Sequence, residues 1–442
     1  MTRTEKTLRP RRLPGMAAAT VFVLLAGIGS MPLSAQEPSA TDPGKPGEAA
    51  PTQAPASSAT PGEGFQWGVY EGRSEIEIGY RWVTDIAGNR DMYRSMVNLG
   101  DGPKLLRSDI SLRSAYGSAG LFDRLDFSMY SWGGEPYNTL RFTLGRSDLY
   151  ELRANYRNQN YFNYIPSHAN PLFAGGVLLG QHSLNITYRT TDVELELFPN
   201  GRIRPYVGYS RATSFGPGLS TYSLTGNEFR LNTDWRHAAD EYRGGLQVAL
   251  PRLNFTLEQG YRFLRNDTGT VDAGLPGGNN PIPFLGRPIS LDSQERAYRE
   301  RTRVPVTKIL AKARPFKALS ITGRYIYSMA EIESSLAEFN SGNLVSLENR
   351  LAYASAADAF TGRATRPNHR GNLIVEFSPT PGLKIINHFD TRNYHVSGSA
   401  LLGTTFFNAR SLLGPGGGAG SDVSVAEEPV TRLVFDQTRN ST

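Results

Sequence analysis

Residues 74–82 read SEIEIGYRW, and this stretch decides the fold because its polar and apolar residues alternate strictly. Ile76, Ile78, Tyr80 and Trp82 fall on one side of an extended chain, and the charged residues between them fall on the other. Successive side chains of a β-strand point to opposite faces, so this period of two predicts a strand with one apolar and one polar face.

The same alternation recurs along the chain, with short turns on one side of the runs and long polar stretches on the other, as in outer-membrane barrels. The predicted strands are 74–82, 104–114, 121–131, 137–145, 149–157, 189–198, 202–211, 241–250, 253–263, 301–314, 318–328, 369–378, 383–394 and 429–437. The predicted long loops are 158–188, 212–240, 264–300, 328–368 and 395–428. The run 228–236 also alternates, but as a membrane strand it would reverse the sides of the later loops. We therefore assign it to an extracellular β-extension.

A soluble sandwich also has alternating strands, so the choice depends on the connections and on the aromatic residues. Tyr, Trp and Phe collect at the predicted strand ends, as in the aromatic girdles of membrane barrels. The mean hydropathy of −0.38 excludes a helical membrane protein but not a barrel, in which only alternate residues must be apolar. The predicted fold is all-β: a transmembrane antiparallel β-barrel with about 14 strands in this chain.

The N-terminal region predicts export. Residues 1–35 combine a basic start, a short apolar run and a small-residue end, which is typical of a secretory signal peptide. Residues 36–64 are rich in Pro and Ala and contain no aromatic residue, which predicts a disordered periplasmic tether. Residues 65–442 are then the barrel, and the predicted location is the Gram-negative outer membrane. Without the signal peptide, 42 basic residues face 40 acidic ones, so the charge gives no support for nucleic-acid binding.

The polar positions of the predicted strands would line the lumen. These candidates are Glu75, Glu77, Arg81, Arg141, Glu151, Arg153, Glu194, Glu196, Arg204, Glu241, Arg262, His388, Asp390 and Arg392. Both signs of charge are present, so the pattern predicts a mixed polar lining rather than a filter of one sign.

Two turns give predictions of strand register. A three-residue loop at 199–201 would place Glu196 opposite Arg204, and a two-residue loop at 251–252 would place Glu241 opposite Arg262.

The sequence gives no catalytic set and no cofactor site. Its six His residues form no metal-ligand motif, and the absence of Cys excludes thiolate metal sites and haem attachment through Cys. Because His388, Asp390 and Arg392 share one face, a lumen site there is conceivable, but an ordinary polar lining is the favoured interpretation. We therefore expect a non-enzymatic protein without a resident cofactor.

Several stretches resemble the decahaem-associated outer-membrane β-barrel family (MtrB/PioB type). They are 93–102 (YRSMVNLGDG), 127–137 (FSMYSWGGEPY), 192–209 and 303–316. Members of that family are larger barrels that sheath a multihaem c-type cytochrome, so the resemblance implies such a partner, with haem carried only by that partner. Two features depart from the family: the chain has no Cys, and it stops at Thr442 without a terminal aromatic residue. The resemblance thus implies that the chain is an N-terminal portion of a larger member.

Three functions follow in decreasing order of support. The first is a sheath or scaffold for a multihaem cytochrome in electron transfer across the outer membrane, with membrane lipid as the other partner. The second is a general solute porin or uptake channel, in which long loops such as 264–300 would fold inward. The third is an outer-membrane enzyme with a site in the lumen or at its rim.

Overall fold

The computed structural model of the protein describes residues 64–88, 90–97, 99–114, 120–165, 182–274, 278–412, 422–427 and 431–441. The predicted signal peptide and all but the last residue of the predicted tether lie outside these ranges. The strands of the described part are β1 (Phe65–Trp67), β2 (Tyr70–Arg81), β3 (Gly102–Ser114), β4 (Arg124–Trp132), β5 (Tyr137–Arg146), β6 (Tyr150–Ile165), β7 (His182–Leu197), β8 (Ile203–Leu224), β9 (Asn227–Leu250), β10 (Leu253–Ala273), β11 (Ser290–Phe316), β12 (Leu319–Ser346), β13 (Leu351–Thr380), β14 (Leu383–Ser411), β15 (Asp422–Glu427) and β16 (Thr431–Ser441).

These strands form a single up-and-down antiparallel sheet in which chain neighbours pair in order from β1 to β15. Strand β16 lies on the same edge of β14 as β15, farther along that strand. The expected fold class, an all-β antiparallel β-barrel architecture, is confirmed. Within the described residues, no ladder of backbone hydrogen bonds joins the last strand to the first.

The predicted strands all fall on observed strands, but the predicted long loops are wrong. Strands β8 to β14 contain 21 to 30 residues each, so most of the stretches assigned to loops continue the hairpins as paired strand. The run 228–236 is part of β9 and so extends that strand, as predicted. The extended parts of these hairpins carry polar residues on both faces, so their composition resembles that of loops. Their backbone pairing depends on the partner strand and cannot be predicted from composition. Residues 166–181, 275–277, 413–421 and 428, also assigned to loops, lie outside the described ranges.

Both short turns are present, but the three-residue length predicted at 199–201 and the register prediction that depends on it are wrong. Leu250 pairs with Leu253 and Glu241 with Arg262, as the two-residue loop requires. At the other turn Glu196 pairs with Tyr206 instead of Arg204, a shift of two residues. The connection there contains all of 198–202, and Phe198 takes a positive φ of 52° while its carbonyl accepts the N–H of Gly201. A shift of two keeps every side chain on its expected face.

The tip of the β8–β9 hairpin is a two-residue turn. Leu224 pairs with Asn227, and Thr225 and Gly226 between them have φ values of 47° and 77°. Positive φ at both central positions is the type I′ geometry, whose twist matches that of paired strands. The Thr-Gly pair therefore closes a hairpin inside a stretch that the sequence assigned to a loop.

The sheet curves so that distant strands meet at the end of the hairpins opposite the short turns 198–202 and 251–252. We call this end the long end of the hairpins. Phe229 and Leu231 of β9 share a buried cluster with Tyr353 of β13 and Phe406 of β14, although those strands lie four and five places away. We name this set the apolar cluster: Phe229, Leu231, Leu291, Leu344, Tyr353, Ala356, Phe406 and Ala409. Side chains four or five strands apart can touch only across a concave face, so the face that carries Phe229 is the concave one.

A helix, α1 (Arg90–Val97), lies in the connection between β2 and β3 and crosses to β6. The Arg94 guanidinium sits 4.2 Å from the ring centroid of Phe162, a cation–π contact that holds the helix there. Among the described residues, no helix has the length and apolar character needed to cross a membrane.

Candidate functional site

The polar residues of the strands share one face, and this polar face is the candidate site. The pairing from β9 to β8 has no register shift, so Phe229, Leu231 and Glu241 lie on the same face of β9. Since Phe229 lies on the concave face, Glu241 and the residues aligned with it lie there too. We call this surface the polar face and the opposite one the outer face.

The register carries this alignment across the sheet. Glu75 pairs with Asp109, Arg141 with Asn155, Glu151 with Glu196, and Arg153 with Glu194. On the other side of β9, the ladders through β10 to β13 lead to His388, Asp390 and Arg392. These ladders connect all the predicted lining residues except Arg81. Arg81 is the exception because it follows a register shift between Glu77 and Ile78.

Strands β6 to β8 carry a ladder of alternating charge. The Arg153 guanidinium contacts the carboxylates of Glu151 at 2.8 Å and Glu196 at 4.0 Å. Glu196 also lies 3.6 Å from Arg204, its diagonal neighbour, so the predicted pair forms despite the shifted register. Each carboxylate therefore lies beside a guanidinium, and neither sign dominates.

Arg243 of β9 connects three strands. Its side chain reaches over β8 to the carboxylates of Asp192, at 3.1 Å, and Glu194, at 3.0 Å, both on β7. It also donates a hydrogen bond to the Ser210 hydroxyl. Gly208 lies beneath, and a Cβ there would be 2.7 Å from Nε of Arg243. The missing side chain at 208 gives the guanidinium its path across the strand.

Tyr206 crosses the sheet in the opposite direction. Its hydroxyl donates a 2.7 Å hydrogen bond to Glu258, which also accepts one from the Lys308 ammonium at 2.6 Å. The ring passes over Gly245 of β9. Close by, the Arg262 Nε lies 2.6 Å from Glu241, the ion pair that the sequence predicted.

The first strands end in a buried ion cluster. Glu135 accepts a hydrogen bond from Arg81, and the Lys104 ammonium lies 3.3 Å from the same carboxylate. The side chains of Lys104 and Glu135 are almost fully buried, so their charges compensate each other. Below this cluster, Glu75 lies 3.7 Å from Arg107, whereas Arg141 is exposed on the polar face.

The structure brings His388 and Asp390 together through Asn372 on the neighbouring strand. The Asn372 amide contacts Nε2 of His388 at 2.5 Å and a carboxylate oxygen of Asp390 at 3.3 Å. Arg392 follows on the same face. These side chains form a hydrogen-bonded polar lining, and no nucleophile stands beside the imidazole in the described contacts.

Sequence reasoning missed the residues that connect the strands: Asp192, Tyr206, Arg243, Glu258 and Lys308. Each shares the polar face with a residue that was predicted, so the period of two was a usable signal. Their contacts could not be predicted from the sequence, because each contact depends on a glycine or a partner residue on another strand.

Desolvation shifts the pKa of two groups in the parts of β8 and β9 that lie far from the short turns. Burial raises the pKa of Tyr222 above its ordinary range, and the nearby Tyr353, Glu338 and Asp358 add to the shift. Partial desolvation lowers the pKa of His237, which remains exposed to solvent, and Glu300 opposes this shift. Neither group lies beside a set of His, Asp and Glu side chains able to hold a metal, and the described residues contain no such set.

No family model and no curated protein matches the chain. Among solved structures, the chain is similar to the outer membrane protease OmpT from Escherichia coli, at 12% identity and a TM-score of 0.21. The match covers 69% of this chain and 91% of that one. The expectation that the protein is not an enzyme is contradicted by this likeness to a protease, and it is withdrawn. At this TM-score the likeness assigns neither a reaction nor catalytic residues.

Proposed function

We propose that the chain is an outer-membrane β-barrel protein whose polar face encloses a multihaem c-type cytochrome for electron transfer across that membrane. The observation that carries the proposal is the length of the charge-balanced polar face. A strand of 30 residues, such as β13, extends roughly 100 Å, whereas about 10 residues cross a bilayer. The face is therefore long enough to surround a protein partner beyond the membrane as well as within it.

The outer face supports contact with lipid. Large apolar side chains remain exposed there, including Ile76 at 62% and Ile78 at 77%. The same is true on other strands of Ile203, Val207, Tyr242, Leu250, Leu257, Leu373, Ile385 and Phe389. An apolar surface of this extent in water would be a liability, whereas hydrocarbon stabilises it.

The stretch 264–300 favours a protein partner over free passage of solutes. A porin would fold this stretch inward, whereas here it is mostly paired strand in the described residues. The resemblance of several sequence stretches to barrels that sheath multihaem cytochromes names the partner class.

The first test is purification of the full chain from outer membranes of its native source. The proposal expects a haem protein to co-purify in a fixed ratio, visible as a Soret band. Purified barrel without haem, together with a steady conductance in planar bilayers, would instead establish the solute porin and overturn the sheath.

A pair of variants tests the polar face itself. Arg141→Glu changes an exposed residue of the polar face, and Arg363→Glu changes an exposed residue of the outer face. Only the first should reduce recovery of the haem protein, while both remain in the outer membrane. Equal recovery with both variants contradicts a partner on the polar face.

A further inference from the structure

On the outer face of β8 to β11, a row of aromatic residues marks one level of the sheet. Tyr209 pairs with Tyr242, Tyr242 with Tyr261, and Tyr261 with Pro305, so the four residues form one row across four strands. Tyrosine at such a level is typical of the boundary between lipid hydrocarbon and headgroups.

Directly beyond this row, toward the long ends of the hairpins, the outer face becomes basic. We name the arginines of the next three rows the arginine patch: Arg211, Arg236, Arg265, Arg299, Arg301 and Arg303. Successive rows lie roughly 7 Å apart along the strands, so the patch covers the first ~20 Å above the tyrosines.

The acids on these four strands neutralise only part of the patch. The Asp240 side chain is 4% exposed and lies 3.4 Å from Arg211 and 3.3 Å from Arg265. Asp267 lies 2.7 Å from Arg301. Within these three rows six arginines thus face two carboxylates, and within the described residues Arg236, Arg299 and Arg303 have no ion pair.

The neighbouring strand does not remove this excess. On β12, Glu331 and Glu333 lie opposite Arg303 and Arg301 in the register. Glu333 is held by Arg363 at 2.6 Å, on the far side from the patch. Glu331, and Asp234 one row beyond Arg236 on β9, are the other described carboxylates beside the patch. With Asp240 and Asp267 they make four carboxylates against six arginines, so the local charge stays positive.

Like charges also meet directly. Arg265 and Arg301 are register partners on the outer face, and Asp240 and Asp267 offset their repulsion, which leaves neither acid to neutralise the unpaired arginines. Guanidinium groups bind phosphate oxygens with paired, charge-assisted hydrogen bonds, which suits the unpaired Arg236, Arg299 and Arg303 to a phosphate anion. Phosphates at the level just beyond an aromatic girdle are those of lipid headgroups.

We propose that the arginine patch binds the phosphates of a phosphorylated glycolipid in the outer leaflet. This inference rests on the proposed membrane placement, because it takes the long ends of the hairpins as the external side. The lipid would supply the negative charge that the sheet lacks, and it would hold the extended hairpins upright above the bilayer.

The test uses the full chain in detergent micelles doped with diphosphorylated lipid A or with the same lipid after removal of its phosphates. Thermal unfolding then reports binding. We expect the phosphorylated lipid to raise the midpoint of unfolding and the dephosphorylated lipid to have little effect. The variant Arg299→Gln/Arg303→Gln should bind about tenfold more weakly, the equivalent of one or two lost charge-assisted hydrogen bonds. Arg314→Gln, at the exposed short-turn end of β11 and outside the patch, is the matched control and should bind as the original chain does.

Three results would overturn the proposal. They are equal stabilisation by both lipids, unchanged binding by the double variant, and an equal effect of inorganic phosphate at the same concentration, which would assign the patch to a free anion. Because binding is measured in micelles, flotation of the chain with vesicles tests the membrane placement separately. A chain that fails to float but binds the phosphorylated lipid contradicts the proposed function and leaves the phosphate site in place.

Discussion

The ring of Tyr206 occupies the space that Gly245 leaves open on the neighbouring strand. A Cβ at position 245 would lie 2.4 Å from Cζ of Tyr206. The two residues are register partners, so the ring crosses β9 directly and its hydroxyl reaches Glu258 on β10. Because Gly245 has no side chain, a residue of β8 can form a hydrogen bond with β10, across the strand that lies between them.

Gly245→Ala should destabilise the protein by about 1–3 kcal/mol, because the methyl group forces the Tyr206 ring off Glu258. The adjacent Gly244 is the matched control, since a Cβ there would meet nothing closer than 3.9 Å. Urea unfolding of both variants in the same detergent checks this. Equal midpoints for the two alanine variants would contradict the role of the space at 245.

Arg243→Met should cost about 1–3 kcal/mol, because Asp192 and Glu194 would lose their shared cation while remaining half-buried. Methionine keeps much of the volume of the stem and removes only the charge. The exposed pair Arg363–Glu333 is the comparison, and Arg363→Met should change stability by less than about 0.5 kcal/mol. Similar losses in both variants would show that the three-strand contact of Arg243 is no stronger than a surface pair.

Phe229→Ala should loosen the contact between the β8–β9 hairpin and the strands across the concave face. Phe229 is 1% exposed, and truncation of a buried Phe costs about 3–5 kcal/mol. Hydrogen exchange should rise in 222–231 and around Tyr353, while strand segments near the short turns stay protected. Val271→Ala, at a side chain that is 82% exposed, should leave exchange unchanged. A uniform rise along all strands would argue against a local cluster.

His237 should make the extended hairpins less stable at acid pH. Partial desolvation lowers its pKa below the ordinary 6.5, and the effect on stability is small because the residue remains exposed to solvent. Well above 6.5 the unfolded and folded chains bind equally few protons there. As the pH falls below 6.5, the unfolded chain takes up a proton first. The contribution to stability is therefore full above 6.5 and is lost as the pH falls toward the lowered folded-state pKa. His237→Gln should flatten this part of a plot of unfolding free energy against pH; an unchanged slope would contradict the assignment.

The pairing of Glu241 with Arg262 was predictable because a two-residue turn leaves one register that keeps apolar residues on one face. The pairing of Glu196 was not, because registers two residues apart preserve the faces equally. Phe198, with its positive φ, decided between them, and nothing in the local pattern indicated that conformation. Apart from the run 228–236, whose alternation was visible, the extensions of the hairpins escaped prediction because polar residues on both faces hide the period of two.

The sequence by itself determined that the strands have two unlike faces and that short turns join them, because side-chain alternation and turn chemistry are local properties of the chain. Only the tertiary structure decided that the hairpins continue far beyond the membrane length, that Phe229 and Phe406 share one buried cluster, and that Arg243 reaches Asp192. Those contacts join residues 50 to 180 positions apart in the sequence. They exist because backbone pairing aligns the strands and curvature brings one face together, and neither effect is encoded in any single segment.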